Sequence, residues 1–140
     1  MTTDNVSIGR SFFENVLGKG DWASGDQIMA SDMVMYHPSS PEPVRSSEAI
    51  KGFLGAFRAG FPDLNLTVEF AFAQGEMVAV RWRARGTHTA SLFGIPASGK
   101  TMNVAGISIL RIVDGKIVED WVAEDTIGLM QQIGVIPPMG

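Results

Sequence analysis

The chain has no cysteine among its 140 residues, so it can form no disulfide, hold no metal through thiolate and use no cysteine nucleophile. A reducing cytoplasm costs such a protein nothing, and a cytoplasmic location is the expectation. Only two histidines are present, His37 and His88. With no HxxxH pair and no carboxylate triad around them, no metal site is expected. Apolar residues nowhere continue for the roughly 20 positions that a membrane-spanning helix needs. The start, MTTDNVSIGRSFFENVLGKG, has no basic segment leading a hydrophobic run, so neither a signal peptide nor a membrane contact is expected. Cations are not in excess either. A net charge of -4 opposes the displacement of counterions from a phosphate backbone, and no nucleic-acid partner is expected.

What is present is a globular composition: 45% apolar and 19% charged residues, without the charge blocks or low-complexity runs of a disordered chain. The length suits a single domain over 1–140. From Val6 to Leu17, Phe12, Phe13, Val16 and Leu17 recur at helical spacing, and Gly18 supplies a stop. Asp21 can cap a second helix over Trp22 to Met29. Met33 to Tyr36 reads as a short strand, followed by the proline-punctuated loop His37-Pro38-Ser39-Ser40-Pro41-Glu42-Pro43. A third helix is expected from Ser46 or Ser47, with Ile50, Phe53, Leu54 and Phe57 on one face, ending at Gly60-Phe61-Pro62.

From Leu64 the period changes to two. Leu64, Leu66, Val68, Phe70 and Phe72 alternate with polar or small residues, as do Val78, Val80, Trp82 and Ala84 in the next run. A three-residue turn at Gln74-Gly75-Glu76 would place both apolar sets on one side, opposing Phe70 to Val80 and Glu69 to Arg81. Met102 to Ile112 and Lys116 to Val122 form a last hairpin across Asp114-Gly115, and Asp125 can cap a closing helix that ends at Gly134. Three helices, then a strongly bent and mostly antiparallel sheet, then a short C-terminal helix define an α+β fold. Its sheet wraps into a cone around a pocket.

Several motifs carry a family likeness. Phe61-Pro62-Asp63-Leu64, the strand Val78-Ala79-Val80-Arg81-Trp82 leading into Arg85-Gly86-Thr87-His88-Thr89, Gly94-Ile95-Pro96 with Gly99-Lys100, and Asp114-Gly115-Lys116-Ile117-Val118 through Asp125 to Gln132-Ile133-Gly134 together resemble the SnoaL-like polyketide (ester) cyclases of the nuclear transport factor 2-like superfamily. The resemblance covers nearly the whole chain. It implies the cone-shaped fold, an intramolecular aldol closure that uses no metal or organic cofactor, and a homodimer formed through the outer sheet face. It also implies an aspartate acid/base with a histidine beside it. By register those positions fall on Val122 and Ser108, so neither catalytic residue type is kept and the pair is not carried over.

Other residues must then carry any chemistry. His37 has the side chain that titrates nearest neutrality. It stands between a short strand and Pro38, a place like that of the proton-shuttling carboxylate in ketosteroid isomerases of the same fold. It serves either as acid/base or as a hydrogen-bonding partner of the loop backbone. Asp120 faces the pocket if the last hairpin turns through three residues with a glycine bulge, opposing Ser108 to Asp120. A two-residue loop opposes Ser108 to Trp121 and sends Asp120 outward. Facing in, its carboxyl would be desolvated and its pKa raised. Ser108 can donate a hydrogen bond to a developing oxyanion or simply satisfy backbone.

Trp82, Phe53, Phe57, Phe70, Met102, Met130 and Val122 are candidates to line the pocket around a small hydrophobic organic ligand. His88 reads either as a ligand contact at the open end of the sheet or as the anchor of the loop that follows it. Arg81, Arg83 and Arg85 form a basic stripe on the outer strand face, with Glu69 as a cross-strand partner. The functional expectation is a cofactor-independent enzyme acting on a hydrophobic carbonyl compound by cyclisation, isomerisation or a related lyase step. The alternatives are a binding or assembly protein without catalysis and an epoxide hydrolase-like enzyme.

Overall fold

The side chain of Asp4 accepts a hydrogen bond from the Val6 N–H and starts helix α1 (Asn5–Ser11). The helix runs on without interruption as a π-helical segment, Phe12–Leu17. The wider turn brings the consecutive residues Phe12 and Phe13, and then Val16, to the buried side, and such π segments are frequent beside functional sites. The computed structural model describes residues 4–138. Asp21 caps helix α2 (Trp22–Ile28) by accepting from the Ser24 N–H, and Ser46 caps helix α3 (Ser47–Gly60) through the Ala49 N–H. Asp125 does the same for helix α4 (Thr126–Gln132) through Gly128. Asp21 and Asp125 are the caps expected from the sequence, and Ser46 is one of the two serines at which the third helix is expected to start.

Six strands form one sheet: β1 (Met29–Tyr36), β2 (Val44–Arg45), β3 (Asn65–Gln74), β4 (Met77–Thr87), β5 (Thr101–Val113) and β6 (Lys116–Glu124), in the order β2-β1-β6-β5-β4-β3. All neighbours are antiparallel except β1 and β6, which run parallel. Strand β1 is longer than the short strand read from sequence. It lies between α2 and α3, so the sheet begins before the third helix. The parallel pairing sets Met35 beside Asp120 and Tyr36 beside Trp121, which delivers His37 to the same end of the cone as the last residues of β6.

Helices cover the concave face. Gly9 sits over Val78, Val80 and Leu110 so closely that a methyl group there would press on them. The Phe13 ring stacks on Trp82 at a centroid distance of 6.0 Å. The core beneath is almost wholly apolar, and burying each of its large side chains contributes about 1.5–3 kcal/mol. Val78, Val80, Trp82 and Ala84 point inward as expected.

Both hairpin turns differ from the three-residue expectation. Strands β3 and β4 turn through two residues, Gly75-Glu76, with Gln74 opposite Met77. Glycine at φ +59° in the first position suits that tight turn. A bulge at Glu69 then shifts the register, so Val68 opposes Trp82 while Phe70 opposes Arg81 and Ala71 opposes Val80. Leu66 and Val68 are buried, but Phe70 and Phe72 stand on the outer face, 53% and 62% exposed. The expected inward positions of Phe70 and Phe72 are thus reversed, because one extra residue inverts every side chain beyond it. The Val68 N–H bonds to the Glu14 carboxylate, and Glu69 pairs with Arg81 and Arg83 on the outer face.

In the last hairpin Asp114 and Gly115, both at positive φ, make a two-residue turn between Val113 and Lys116. The bulge lies farther along, at Val118, between the pairs Ile112–Ile117 and Arg111–Glu119. Ser108 therefore opposes Val122, and Leu110 opposes Asp120. Neither register considered from sequence is the one formed. Asp120 nevertheless points inward, because the bulge supplies the shift that had been expected at the turn.

Candidate active site

The cone encloses a cavity walled on the helical side by Phe12, Phe13, Leu17, Leu54 and Phe57 and on the sheet side by Trp82, Met102, Val104, Ser108, Asp120 and Val122, with His37 and Glu124 beside them. The whole concavity, mouth included, spans about 620 Å³. It is narrow and apolar, and its few polar groups are consequently strong in effect.

Asp120 lies at the heart of the wall and is 1% exposed. One carboxylate oxygen, Oδ1, is buried without a hydrogen-bond partner. Ser108 stands beside the carboxyl, and hydrogen bonding from its hydroxyl favours the charged form. Ser108 is itself oriented by Trp82, whose indole N–H donates to Oγ over 3.1 Å. The serine oxygen accepts from the indole, which leaves its one proton to be turned toward the neighbouring carboxyl. Gly106 makes this possible: an added methyl there would overlap the Trp82 six-membered ring, so only glycine lets the indole lie flat across β5. Burial raises the Asp120 pKa from its ordinary 3.8 to about 7, with the Ser108 hydrogen bond offsetting part of that rise. Such a carboxyl can give or take a proton near neutral pH.

His37 is held from both sides. Its Nδ1 accepts from the Ser39 N–H at 3.1 Å, which leaves the proton on Nε2, 2.7 Å from Glu124 Oε1. The ring is buried and packs edge-on to Phe53 at 4.9 Å and against Phe57 at 5.5 Å. With both nitrogens engaged it holds Glu124 in place and has no free lone pair in this state. Glu124 was not singled out from sequence. The signal was available, because Asp120, Val122 and Glu124 follow one another at period two on the inward side of β6.

Of the residues expected around the ligand, Trp82, Phe57, Met102 and Val122 line the cavity with His37, Ser108 and Asp120. Phe53 stands behind the His37 ring and off the wall, Met130 packs against the core away from it, and Phe70 is on the outer face. His88 is fully buried and off the cavity wall as well. Its Nδ1 meets the Ser98 N–H and hydroxyl, at 3.2 and 2.9 Å, and closes the base of the β4–β5 connection. It anchors that loop and does not contact the cavity. Among the described residues no three His, Asp or Glu side chains gather as a metal would need, and no helix is long and apolar enough to cross a membrane.

This constellation inside a helix-covered cone defines the class: the chain belongs to the SnoaL-like polyketide cyclase family, whose pattern it matches over residues 8–133. Among its relatives is aklanonic acid methyl ester cyclase DauD of Streptomyces sp. strain C5. DauD is 31% identical over 98 residues, which make up 68% of this chain and 59% of DauD, so the match spans less than two thirds of that relative. IdmH of Streptomyces antibioticus, a candidate polyketide cyclase, superposes with a TM-score of 0.81 at 28% identity, over 94% of this chain and 99% of IdmH. A candidate SnoaL-like polyketide cyclase from Jannaschia sp. CCS1 gives a TM-score of 0.85 at 24% identity, over 95% of this chain and 93% of the other, which shows the shared fold alone. The positions expected for the family's acid/base pair, Ser108 and Val122, face each other across β5 and β6 on the cavity wall. The carboxyl group of this chain stands one inward step away, on Asp120.

Proposed function

We propose that this protein is a cofactor-independent cyclase that closes a ring in a small hydrophobic carbonyl compound by intramolecular aldol addition. The observation that carries the proposal is Asp120: a carboxyl poised to titrate near neutrality, with one oxygen unpartnered, in an otherwise apolar cavity. In the reaction the Asp120 carboxylate removes a proton from the carbon beside a carbonyl. The resulting enolate carbon bonds to a second carbonyl carbon of the same molecule, whose π electrons move to its oxygen. That oxygen then takes the proton back from Asp120. Nothing is oxidised or reduced and no atom is gained or lost. The Trp82 N–H and Ser108 hydroxyl position the carboxyl, and His37 holds Glu124 as the second carboxyl of the wall.

Aklanonic acid methyl ester, the compound named for the DauD relative, is the first substrate to test. Turnover should fall roughly 10²–10⁴-fold in Asp120→Asn, while Glu124→Gln should show a smaller loss. Full turnover by a folded Asp120→Asn variant would sink the mechanism. A second reading, a binding protein without catalysis, draws on the serine and valine at the family's acid/base positions. It requires that ligands bind while no candidate substrate is converted.

The proposal includes a homodimer through the outer sheet face, where Tyr36, Phe70, Ile107 and Trp121 stand exposed and Tyr36 stacks on Trp121 at 5.8 Å. Sedimentation should give a dimer that Ile107→Glu dissociates. A monomeric wild type would overturn this part. A cytoplasmic setting is also proposed, in keeping with a chain that has no cysteine.

A further inference from the structure

We infer that Phe93 is a specificity-determining residue: with Phe57, and backed by Phe53, it forms an aromatic ledge beside the cavity on which the outer, flat ring of the substrate packs. The inference rests on reading the cavity as a substrate site. Phe93 is a bulky residue in a backbone conformation that favours glycine or asparagine. Phe93 and Gly94 are the two central residues of a tight turn in which Leu92 and Ile95 exchange backbone hydrogen bonds at 2.9 and 2.8 Å. Both have positive φ, +46° for Phe93 and +81° for Gly94. Asn-Gly is the favoured pair in such a turn, and a bulky aromatic at its first position is strained. Strain of this kind is held by the surroundings and clusters at ligand clamps.

Phe93 contributes little to holding the turn. Leu92 does so, fully buried against Gly60 at the end of α3, where a side chain on residue 60 would collide with it. The His88–Ser98 contacts close the base of the same loop. Phe93 itself is 51% exposed. What its ring does touch is a pair of aromatic rings beside the cavity. It lies 5.5 Å from Phe53 and 5.1 Å from Phe57, and both of those rings pack on His37. Phe57 is on the cavity wall, and His37 lines both the cavity and the outer groove beside Ser40 and Pro43. A continuous aromatic surface therefore runs from inside the cavity to solvent and ends on Phe93. The inner space is narrow, so a multi-ring substrate with its reacting carbon at Asp120 leaves its far ring outside, packed on the exposed surface of these phenylalanines. Offset and edge-to-face contacts suit a flat ring there.

The test uses the whole protein, two variants and two probes. Phe93→Asn places the preferred residue in the turn, and Phe93→Tyr keeps the ring. 9,10-Anthraquinone-2-sulfonate is a flat tricycle that reaches the mouth, whereas acetophenone fits within the inner cavity. The expected result is about tenfold weaker binding of the anthraquinone by Phe93→Asn, with Phe93→Tyr within about twofold of wild type. Acetophenone binding should be equal in all three, and the Tm of Phe93→Asn equal to or above that of wild type. Three results would overturn the inference: unchanged anthraquinone binding by Phe93→Asn, no anthraquinone binding by wild type, or a lowered Tm with both probes weakened, which would mark Phe93 as structural. Failure of the cyclase reading looks different. The protein would then turn over no carbonyl substrate, yet anthraquinone binding would still depend on Phe93.

Discussion

Strands β3–β4 and β5–β6 form two hairpins that each turn in two residues and carry one bulge, at Glu69 in the first and at Val118 in the second. In the first, the extra residue falls inside an alternating apolar run and turns Phe70 and Phe72 out to solvent, with Ala71 and Ala73 opposite Val80 and Val78. In the second, it carries the inward face from Ile117 to Asp120, and a carboxyl enters the apolar interior. The backbone device is the same. Its consequence depends on which side chains lie beyond it: the first hairpin gains an exposed aromatic edge, the second a desolvated acid. An apolar side chain turned outward costs little, whereas a carboxyl turned inward costs a great deal unless it is neutralised or paired. The second hairpin thus keeps its arrangement at the expense of stability, as functional sites commonly do.

This contrast can be tested from its strongest consequence downward. Removing the ionisable group at the inward site with Asp120→Asn should cost the largest factor in turnover, the 10²–10⁴-fold already stated. The same variant should alter the pH dependence of folding. The Asp120 pKa is raised on folding from 3.8 to about 7, so between those values the folded state binds a proton that the unfolded chain has released. The contribution of this group to stability is accordingly greatest near or below pH 3.8 and is lost as the pH rises through about 7, by roughly 4 kcal/mol. Denaturant unfolding should therefore show Asp120→Asn close to wild type at pH 4 and clearly more stable at pH 8. A constant difference at every pH would mean that the carboxyl is not desolvated.

Gly106→Ala comes next. Displacing the Trp82 ring should destabilise the fold by about 1–3 kcal/mol. Loss of the Trp82–Ser108–Asp120 chain should also raise the pH at which Asp120 titrates, which carbon-detected NMR can follow. Smallest is Phe72→Ser on the outer edge, expected within about 0.5 kcal/mol of wild type in the same unfolding measurement. A loss of several kcal/mol there would show that the first hairpin packs Phe72 inward after all, and the contrast between the hairpins would collapse.

Much of this protein is legible before folding is considered. Asp21, Ser46 and Asp125 announce three helix starts because a short polar side chain satisfies an exposed N–H locally. The inward set Val78, Val80, Trp82 and Ala84 follows from simple alternation, and His37, Ser108 and Asp120 stand out as polar residues among apolar neighbours. Glu124 did not stand out, because its partner His37 is 87 positions away and is brought to it only by the parallel pairing of β1 with β6. Phe53, Phe70 and Met130 were legible as apolar residues of the right elements but not as residues off the cavity wall, whereas the loop-anchoring role of His88 was one of its two readings.

The sequence by itself determined the four helices, the two long hairpins, the helix-covered sheet and the family, all of which rest on local propensity, periodicity and motif spacing. The tertiary structure alone decided which face the segments of β3 and β6 on the two sides of each bulge present, and which buried groups meet. A bulge adds a single residue without compositional trace and inverts everything beyond it. The pKa of Asp120 likewise depends on the water excluded around it by Phe12, Phe13, Leu54 and Phe57, residues far away in the chain.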